Sequence, residues 1–308
     1  MDVAIHSRSR EADALMARCR ALGVRHVCLS LNGVPGFEDT GVPDAAYLRA
    51  FTRKLADAGV QAPVAILWFG NDPDLVLNPG NHRRVVDAKL RTLEALGQAG
   101  IGAALHYIDL ARSQSPDDDE RYWDGLLGVF RELVAQAEAA DVRLANHAIW
   151  RCIPDPLRVE ALRQGVTMAD YRQYHPEGWG GPYLLTSAPH IVRLLEAVPS
   201  SHNGACFCTG MHIMGGDVPA LVDTFAGKIH YSQMRDLRGR WPAAEEVMLG
   251  EGDLDFGRIL RRLDAAGYRG TIGPEHLGSP HHPGEDLEAT AVGYLQAKLA
   301  AEGIRTSA

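Results

Sequence analysis

Apolar residues along this 308-residue chain occur in two patterns that alternate, namely stripes with a helical period and short continuous runs between them. In residues 126–137 the apolar side chains fall on one side of a helix, because residues three and four apart share a face. Residues 256–263 show the same stripe, and Asp255 stands where it can cap that helix. The chain is therefore predicted to alternate amphipathic helices with buried strands.

The predicted helices and strands meet at a recurring junction, in which a glycine ends the helix and an apolar strand follows. The glycines of these junctions are Gly23, Gly59, Gly100, Gly227 and Gly267. A sixth copy, EAAD-VRLANHAIW, has Asp141 in place of the glycine. Helices commonly end on a residue with positive φ, which glycine adopts without a Cβ penalty. A repeat of roughly 35–45 residues with one helix and one strand predicts parallel strands joined by right-handed crossovers.

Counting these runs gives eight strands, and eight parallel strands alternating with helices favour a closed barrel. The predicted strands are 2–6, 25–31, 63–69, 102–108, 143–149, 204–208, 228–234 and 271–276. The predicted fold is therefore of the α/β class, a (β/α)8 TIM barrel that forms one domain over residues 1–308. The alternative is an open doubly wound sheet, but no GxGxxG motif follows the first strand.

One segment of the chain does not follow this alternation of helices and strands. Residues 150–185 form an insertion after the fifth strand, and it is rich in aromatic residues. Loops that follow barrel strands lie on the catalytic face. We therefore expect this segment to be a lid over the site or a contact between subunits.

Composition and charge narrow the classes of partner. The net charge of −8 disfavours a nucleic acid or an anionic membrane as partner, since both attract a basic face. No apolar run approaches the length of a membrane span, and the first residues lack the profile of a signal peptide. Five cysteines, an odd number, indicate reduced thiols rather than a disulfide framework. We expect a cytoplasmic protein.

Chemically active side chains follow the predicted strands, at the end of a barrel where catalysis occurs. His147, Cys208 and Glu275 end three different strands. An imidazole, a thiolate and a carboxylate together suit Zn²⁺ or Mn²⁺, whereas Mg²⁺ prefers oxygen alone. His276 would then be available as a general acid or base. The alternative is that the cysteine belongs to the core and the histidine is only hydrogen-bonded.

Four stretches of the chain resemble one family, the mannonate dehydratases within the xylose isomerase-like TIM barrels. The stretches are LANHAIW, HNGACFCTG (202–210), KIHYSQMRDL and GEGDLDFGRILRRLDAAGYRGTIGPEHLG (250–278). The tail AVGYLQAKLAA is also similar to the end of those enzymes. The resemblance is close in the C-terminal half of the chain. In the N-terminal half it extends only to the general barrel pattern.

The resemblance implies that His147, Cys208 and Glu275 are metal ligands and that His276 is the acid or base. The histidine that the family has on strand seven is replaced here by Gln233. Either Gln233 coordinates the metal through its amide oxygen, or His230 or a water completes the site.

We expect the remaining site residues to act on the substrate. Arg235 is predicted to be catalytic together with His276. The predicted substrate-binding residues are Asn146, Trp150, His212 and His230. The expected cofactor is a divalent metal ion, Mn²⁺ before Zn²⁺, Co²⁺ or Mg²⁺, and the expected assembly is a homo-oligomer.

The resemblance also has departures that bear on the reaction. The family's proline- and aspartate-rich continuation after the strand-five histidine is absent, and a tyrosine-bearing loop after strand eight is replaced by SPHHPGEDLEAT. The first hypothesis is a hydro-lyase that dehydrates a sugar acid or related polyol, and the second is a sugar isomerase or epimerase. A third possibility, phosphodiester hydrolysis, is disfavoured by the net negative charge of the chain. If Gln233 abolished metal binding, the barrel would instead be non-catalytic.

Overall fold

The chain forms a closed parallel barrel of eight strands, accompanied by a separate two-stranded sheet. The computed structural model describes residues 1–7, 11–68, 79–108, 119–147, 188–214, 217–239, 245–277 and 286–307. The predicted insertion, 150–185, lies outside these described residues, and so does Trp150.

All eight predicted strands are present, and with the two strands of the small sheet the described residues form ten. The strands are β1 (Asp2–His6), β2 (His26–Ser30), β3 (Gln61–Trp68), β4 (Ala103–Tyr107), β5 (Arg143–His147), β6 (Asn203–Cys208), β7 (Ile229–Met234), β8 (Asp236–Arg238), β9 (Glu245–Val247) and β10 (Thr271–Pro274). The order around the barrel is β1-β10-β7-β6-β5-β4-β3-β2, while β8 and β9 pair as an antiparallel hairpin. This confirms the closed barrel and excludes the open sheet.

Helices occupy the intervals between the strands. They are α1 (Ala12–Leu22), α2 (Phe37–Thr40), α3 (Ala45–Asp57), α4 (Pro79–Gln98), α5 (Asp119–Ala140), α6 (Ala188–Ala197), α7 (Val218–Thr224), α8 (Phe256–Ala265) and α9 (Leu287–Ala301). As predicted, Asp255 caps α8, since its side chain accepts a hydrogen bond from the backbone N–H of Arg258 at 3.0 Å. No described helix combines the length and apolar character needed to span a membrane.

The junction residues have the backbone conformation that the repeat predicts. The five junction glycines have φ between 63° and 79°, and Asp141 has φ 53°. A left-handed residue lets the chain leave the helix and enter the next strand at once. The same type of junction therefore precedes six strands of the barrel.

Each barrel strand presents alternate residues to the interior and to the helices. His106 faces outward, because its ring lies 5.4 Å from the ring of Phe130 on α5. The next residue, Tyr107, faces inward, and its hydroxyl donates to Glu275 across the interior at 2.9 Å. This alternation decides which strand-end residues reach the barrel mouth.

A glycine exchange tests the junctions. A Cβ added at Gly59 would meet no atom within 4 Å, so Gly59→Ala tests the backbone alone. We expect a destabilisation of about 1 kcal/mol, because the residue has to stay left-handed. The matched control is Gly128→Ala on α5, where a Cβ also meets nothing and alanine should stabilise by up to about 1 kcal/mol. Urea denaturation measures both, and equal effects of the two exchanges would refute the argument.

Candidate metal centre

Three of the predicted ligands come together at the mouth of the barrel. His147 ends β5, Cys208 ends β6 and Glu275 directly follows β10. One ligand atom from each lies within 4.8 Å of the others. His147 is 4% and Cys208 0% exposed. An imidazole nitrogen, a sulfur and a carboxylate oxygen at this spacing form a donor set for one divalent cation, although metal binding itself stays a prediction.

The carboxylate of Glu275 has two different sides. Its Oε1 accepts hydrogen bonds from the Tyr107 hydroxyl at 2.9 Å and from Gln233 Nε2 at 2.8 Å. Its Oε2 lies 3.7 Å from Cys208 Sγ. One oxygen is thus held by the barrel wall, and the other faces the remaining ligand atoms.

Glu275 is ionised at neutral pH in spite of its burial. Burial by itself raises the pKa of this carboxyl, but the charges of Arg235, His276 and His147 lower the pKa to about 2. The site therefore contains a fixed negative charge, as a cation requires.

The two neighbouring cysteines of β6 have different surroundings. The backbone N–H of Gly210 donates to Cys208 Sγ at 3.3 Å, a contact that stabilises negative charge on sulfur. Cys206 instead donates to Gln233 Oε1 at 3.5 Å, and burial raises the pKa of its thiol well above the ordinary value. Cys206 therefore remains a thiol inside the barrel, and Cys208 is the ligand candidate.

Gln233 holds Glu275 through its amide nitrogen. Because a carboxylate oxygen can only accept, the group that faces Glu275 at 2.8 Å has to be the amide NH₂. The amide oxygen is turned towards Cys206. Completion of the metal site by the amide oxygen of Gln233, by His230 or by a water therefore stays a prediction.

His276 and Arg235 both contact Glu246, a residue of the hairpin. His276 Nδ1 lies 2.9 Å from Glu246 Oε2, and its Nε2 lies 3.8 Å from Glu275 Oε1. Arg235 is 3% exposed, and its Nη1 donates to Glu246 Oε1 at 2.7 Å. His276 therefore lies next to Glu275 of the candidate metal centre. The Arg235 guanidinium instead lies against Glu246 and Gly210. A catalytic role for Arg235 stays a prediction.

Arg235 is fixed against the end of β6. The Thr209 hydroxyl accepts from the Arg235 N–H at 2.8 Å and donates to the Arg235 carbonyl at 2.6 Å. A Cβ on Gly210 would lie 2.1 Å from Arg235 Nε, so only glycine leaves room for the guanidinium. This packing explains the threonine and glycine of the CTG motif.

Asp236 holds the base of the hairpin. Its Oδ2 accepts from the backbone N–H groups of Gly250 and Gly252 at 2.9 and 3.0 Å. A Cβ on Gly252 would lie 2.2 Å from the Asp236 carboxylate. The GEGD segment is thereby tied to the residue that follows Arg235.

Two predicted substrate-binding residues do not reach the site. Asn146 faces outward, where its amide bonds to Asn203 Oδ1 at 2.7 Å and accepts from His106 Nδ1 at 2.8 Å. The His230 ring bonds the backbone carbonyl of Leu144, near the start of β5, at 2.9 Å. Asn146 has the wrong parity relative to His147, and His230 lies towards the opposite end of the barrel, so neither one contacts the three ligands. His212 belongs to a 3₁₀ helix, Thr209–Met214, but its side chain lies outside the described part of the chain.

Sequence reasoning missed three residues of the site. His6 ends β1, its Nε2 lies 3.4 Å from the Tyr231 hydroxyl, and it contributes to the lowered pKa of Glu275. Tyr107 ends β4 and stacks at 4.7 Å from the ring of His147. His6 and Tyr107 could both have been predicted from the sequence, because each one lies at or next to the end of a predicted strand of the N-terminal half. Glu246 carries no such signal, because its position depends on the pairing of β8 with β9.

Comparisons with known proteins agree with this architecture. A family model described as the xylose isomerase-like TIM barrel matches residues 16–298. A mannonate dehydratase from Oceanobacillus iheyensis is 28% identical over 138 residues, 42% of this chain and 40% of that relative. A Streptomyces coelicolor protein, provisionally named hydroxypyruvate isomerase, is 26% identical over 272 residues, 84% of this chain and 82% of that one.

Among solved structures, the crystal structure of mannonate dehydratase from Streptococcus suis serotype 2 superposes with a TM-score of 0.74. The two chains are 18% identical, and the match covers 100% of this chain and 96% of that one. At this identity the likeness shows the fold alone. The sequence match to the Oceanobacillus enzyme, in turn, spans less than half of that relative.

Acid is expected to destabilise the protein through His106, because burial lowers the pKa of its imidazole from 6.5 to about 3. The unfolded chain takes up this proton near pH 6.5 and the folded chain only near pH 3, so the free energy of unfolding falls as the pH drops between those values. His106→Gln keeps an amide donor for Asn146 and removes the titration. Urea midpoints against pH should show a shallower slope for the variant, and an unchanged slope would assign the acid sensitivity to other groups.

Proposed function

Since this chain belongs to the xylose isomerase-like TIM barrel family, we propose that it is a metal-dependent enzyme that eliminates water from a small sugar acid or a related polyol. The observation that carries this proposal is the convergence of His147, Cys208 and Glu275 within 4.8 Å, with the His276 imidazole beside them. The relatives are dehydratases and isomerases, which supports an enzyme. The specific reaction is our proposal.

The donor set fits a divalent transition metal. His147 and Cys208 offer nitrogen and sulfur, which Mn²⁺ or Zn²⁺ accepts more readily than Mg²⁺ does. Three protein ligands leave coordination positions for substrate, as in catalytic rather than structural metal sites. When bound, such an ion would act as a Lewis acid on hydroxyl or carboxylate oxygens of the substrate.

His276 is the residue that we assign to proton transfer. Its side chain is 47% exposed, so a substrate at the barrel mouth can reach it. Its Nε2 is on the side of Glu275. In an elimination, the Nε2 lone pair would take the proton from the carbon next to the carboxylate. The same nitrogen would then pass that proton to the hydroxyl group leaving the adjacent carbon, which departs as water, so the ring returns to its starting state.

Isomerisation is the second candidate, and it is supported by the Streptomyces relative, which aligns over 82% of its own length. The same imidazole could move a proton between adjacent carbons of a ketose or a hydroxy-aldehyde. Elimination yields a 2-keto-3-deoxy product that has lost one water, whereas isomerisation conserves the formula. The mass of the product therefore separates the two candidates.

Other parts of the functional picture stay predictions. A small sugar or sugar acid as substrate, and a homo-oligomer as assembly, belong to this proposal. A reducing, cytoplasmic setting also belongs to this proposal, and it is supported by the four described cysteines, which are buried and outside any disulfide.

Metal content tests the ligand assignment. The purified protein, supplemented with Mn²⁺ or Zn²⁺, should hold about one ion per chain. We expect His147→Ala and Cys208→Ser each to weaken metal binding more than about 100-fold, since changing mere neighbours of ligands typically costs 10–100-fold. The control is Cys206→Ser, which changes a buried thiol two positions away and should retain the ion. Mass spectrometry of the bound metal decides, and an unmetallated native protein would refute the site.

A substrate panel tests the reaction. The metal-loaded protein is incubated with sugar acids and with ketoses, and the product masses are measured. His276→Gln should lower kcat by about 10²–10⁴ while the bound metal is retained, because this side chain is not one of the three ligands. Loss of water from a sugar acid supports the dehydratase, and a product of unchanged mass supports the isomerase. Turnover that persists in His276→Gln would remove His276 from the mechanism.

A further inference from the structure

Glu246 connects two segments that follow different barrel strands. Its Oε1 accepts from Nη1 of Arg235, after β7, at 2.7 Å, and its Oε2 contacts Nδ1 of His276, after β10, at 2.9 Å. The hairpin of β8 and β9 supplies this carboxylate. Since a carboxylate oxygen only accepts, Nδ1 of His276 must carry a hydrogen.

This contact determines the tautomer of His276. With the proton on Nδ1, the neutral ring has its lone pair on Nε2. Nε2 lies 3.8 Å from Glu275 Oε1, so the lone pair is on the side of Glu275, one of the three candidate ligands. A histidine without this partner would share its proton between the two nitrogens and could rotate away.

The backbone of His276 contributes to the same arrangement. In a regular strand the residue after the inward-facing Glu275 would point outward. His276 instead has φ 53°, a left-handed conformation that is uncommon for residues other than glycine. The chain therefore turns at this residue, and the imidazole meets the hairpin.

Arg235 makes Glu246 a rigid partner. The guanidinium is buried against Gly210, and the Arg235 backbone is bonded to Thr209. Arginine offers only donors, so it fixes an acceptor at Oε1 and leaves Oε2 for the imidazole. Glu246 thus has one oxygen for each partner.

We propose that Glu246 is the positioning residue of His276, which keeps the imidazole protonated on Nδ1 and turns the Nε2 lone pair towards the candidate metal centre. This inference rests on the proposed acid–base role of His276. Glu246 itself does not contact the ligands; it acts through the ring.

The variant Glu246→Gln tests this directly, because glutamine has one acceptor end and one donor end. Arg235 requires the acceptor, so the amide oxygen should face Arg235 and the amide NH₂ should face His276 Nδ1. Nδ1 then has to be unprotonated, and the proton moves to Nε2. The variant is therefore expected to invert the tautomer while the shape of the side chain is kept.

Nitrogen-15 NMR of the histidine rings reads the tautomer without substrate or turnover. Spectra are recorded on the full-length protein with Zn²⁺, which is diamagnetic, at alkaline pH, where an ordinary histidine is neutral. The His276→Gln variant assigns the signal. The control is Glu245→Gln, on the same strand, which changes a carboxylate that pairs with Arg238 at 3.5 Å.

We expect an Nδ1–H ring in the wild type and in Glu245→Gln, and an Nε2–H ring in Glu246→Gln. An Nε2–H ring in the wild type, or an unchanged ring in Glu246→Gln, would overturn the proposal whether or not any substrate has been found. Once a substrate is known, kcat of Glu246→Gln should fall about 10–100-fold with KM nearly unchanged. A tautomer that inverts without loss of kcat would equally overturn the positioning role.

Discussion

A carboxylate that stays ionised inside the barrel is the constraint on which this site depends. Burial alone would drive Glu275 towards its neutral acid, which binds cations poorly. The structure opposes this with hydrogen bonds from Tyr107 and Gln233 to one oxygen and with the nearby charge of Arg235. Because Oε1 is occupied by these donors, Oε2 is the oxygen left to face His147 and Cys208. The residues of the barrel wall therefore keep Glu275 ionised and turn its Oε2 towards the other two candidate ligands.

The same constraint links motifs that are distant in the sequence. Arg235 lowers the pKa of Glu275, and it can do so only because Gly210 leaves space for its guanidinium. Arg235 also holds Glu246, which holds His276. The CTG, MRD, GEGD and PEH stretches thus form one connected network. A change at a residue outside the three candidate ligands, such as Gly210, would be transmitted to Glu275 through Arg235.

The sequence was sufficient to predict the barrel and the proximity of the three candidate ligands, and the reasons are local. A positive φ at each helix end and an apolar run after it depend on neighbouring residues, which is why even Asp141 follows the pattern. Strand ends of a parallel barrel meet at one face, so His147, Cys208 and Glu275 could be grouped without a structure. Parity could have indicated the outward position of Asn146, since a residue beside an inward-facing His147 has to face the helices. Glu246 was beyond sequence reasoning, because hairpin pairing and a left-handed His276 bring it to the site.

Charge balance limits what the described residues can recognise. In the proposed metal site, a thiolate at Cys208 and the carboxylate of Glu275 would together neutralise a divalent cation, and Glu246 pairs with Arg235. The described part of the site then has no excess positive charge to attract a sugar acid over an uncharged ketose. Under the proposed function, selection between them would depend on hydrogen bonds and on open coordination positions rather than on net charge. Under the proposed function, the reaction class would be decided by which substrate atom is presented to Nε2 of His276, so the orientation of that ring would separate elimination from isomerisation.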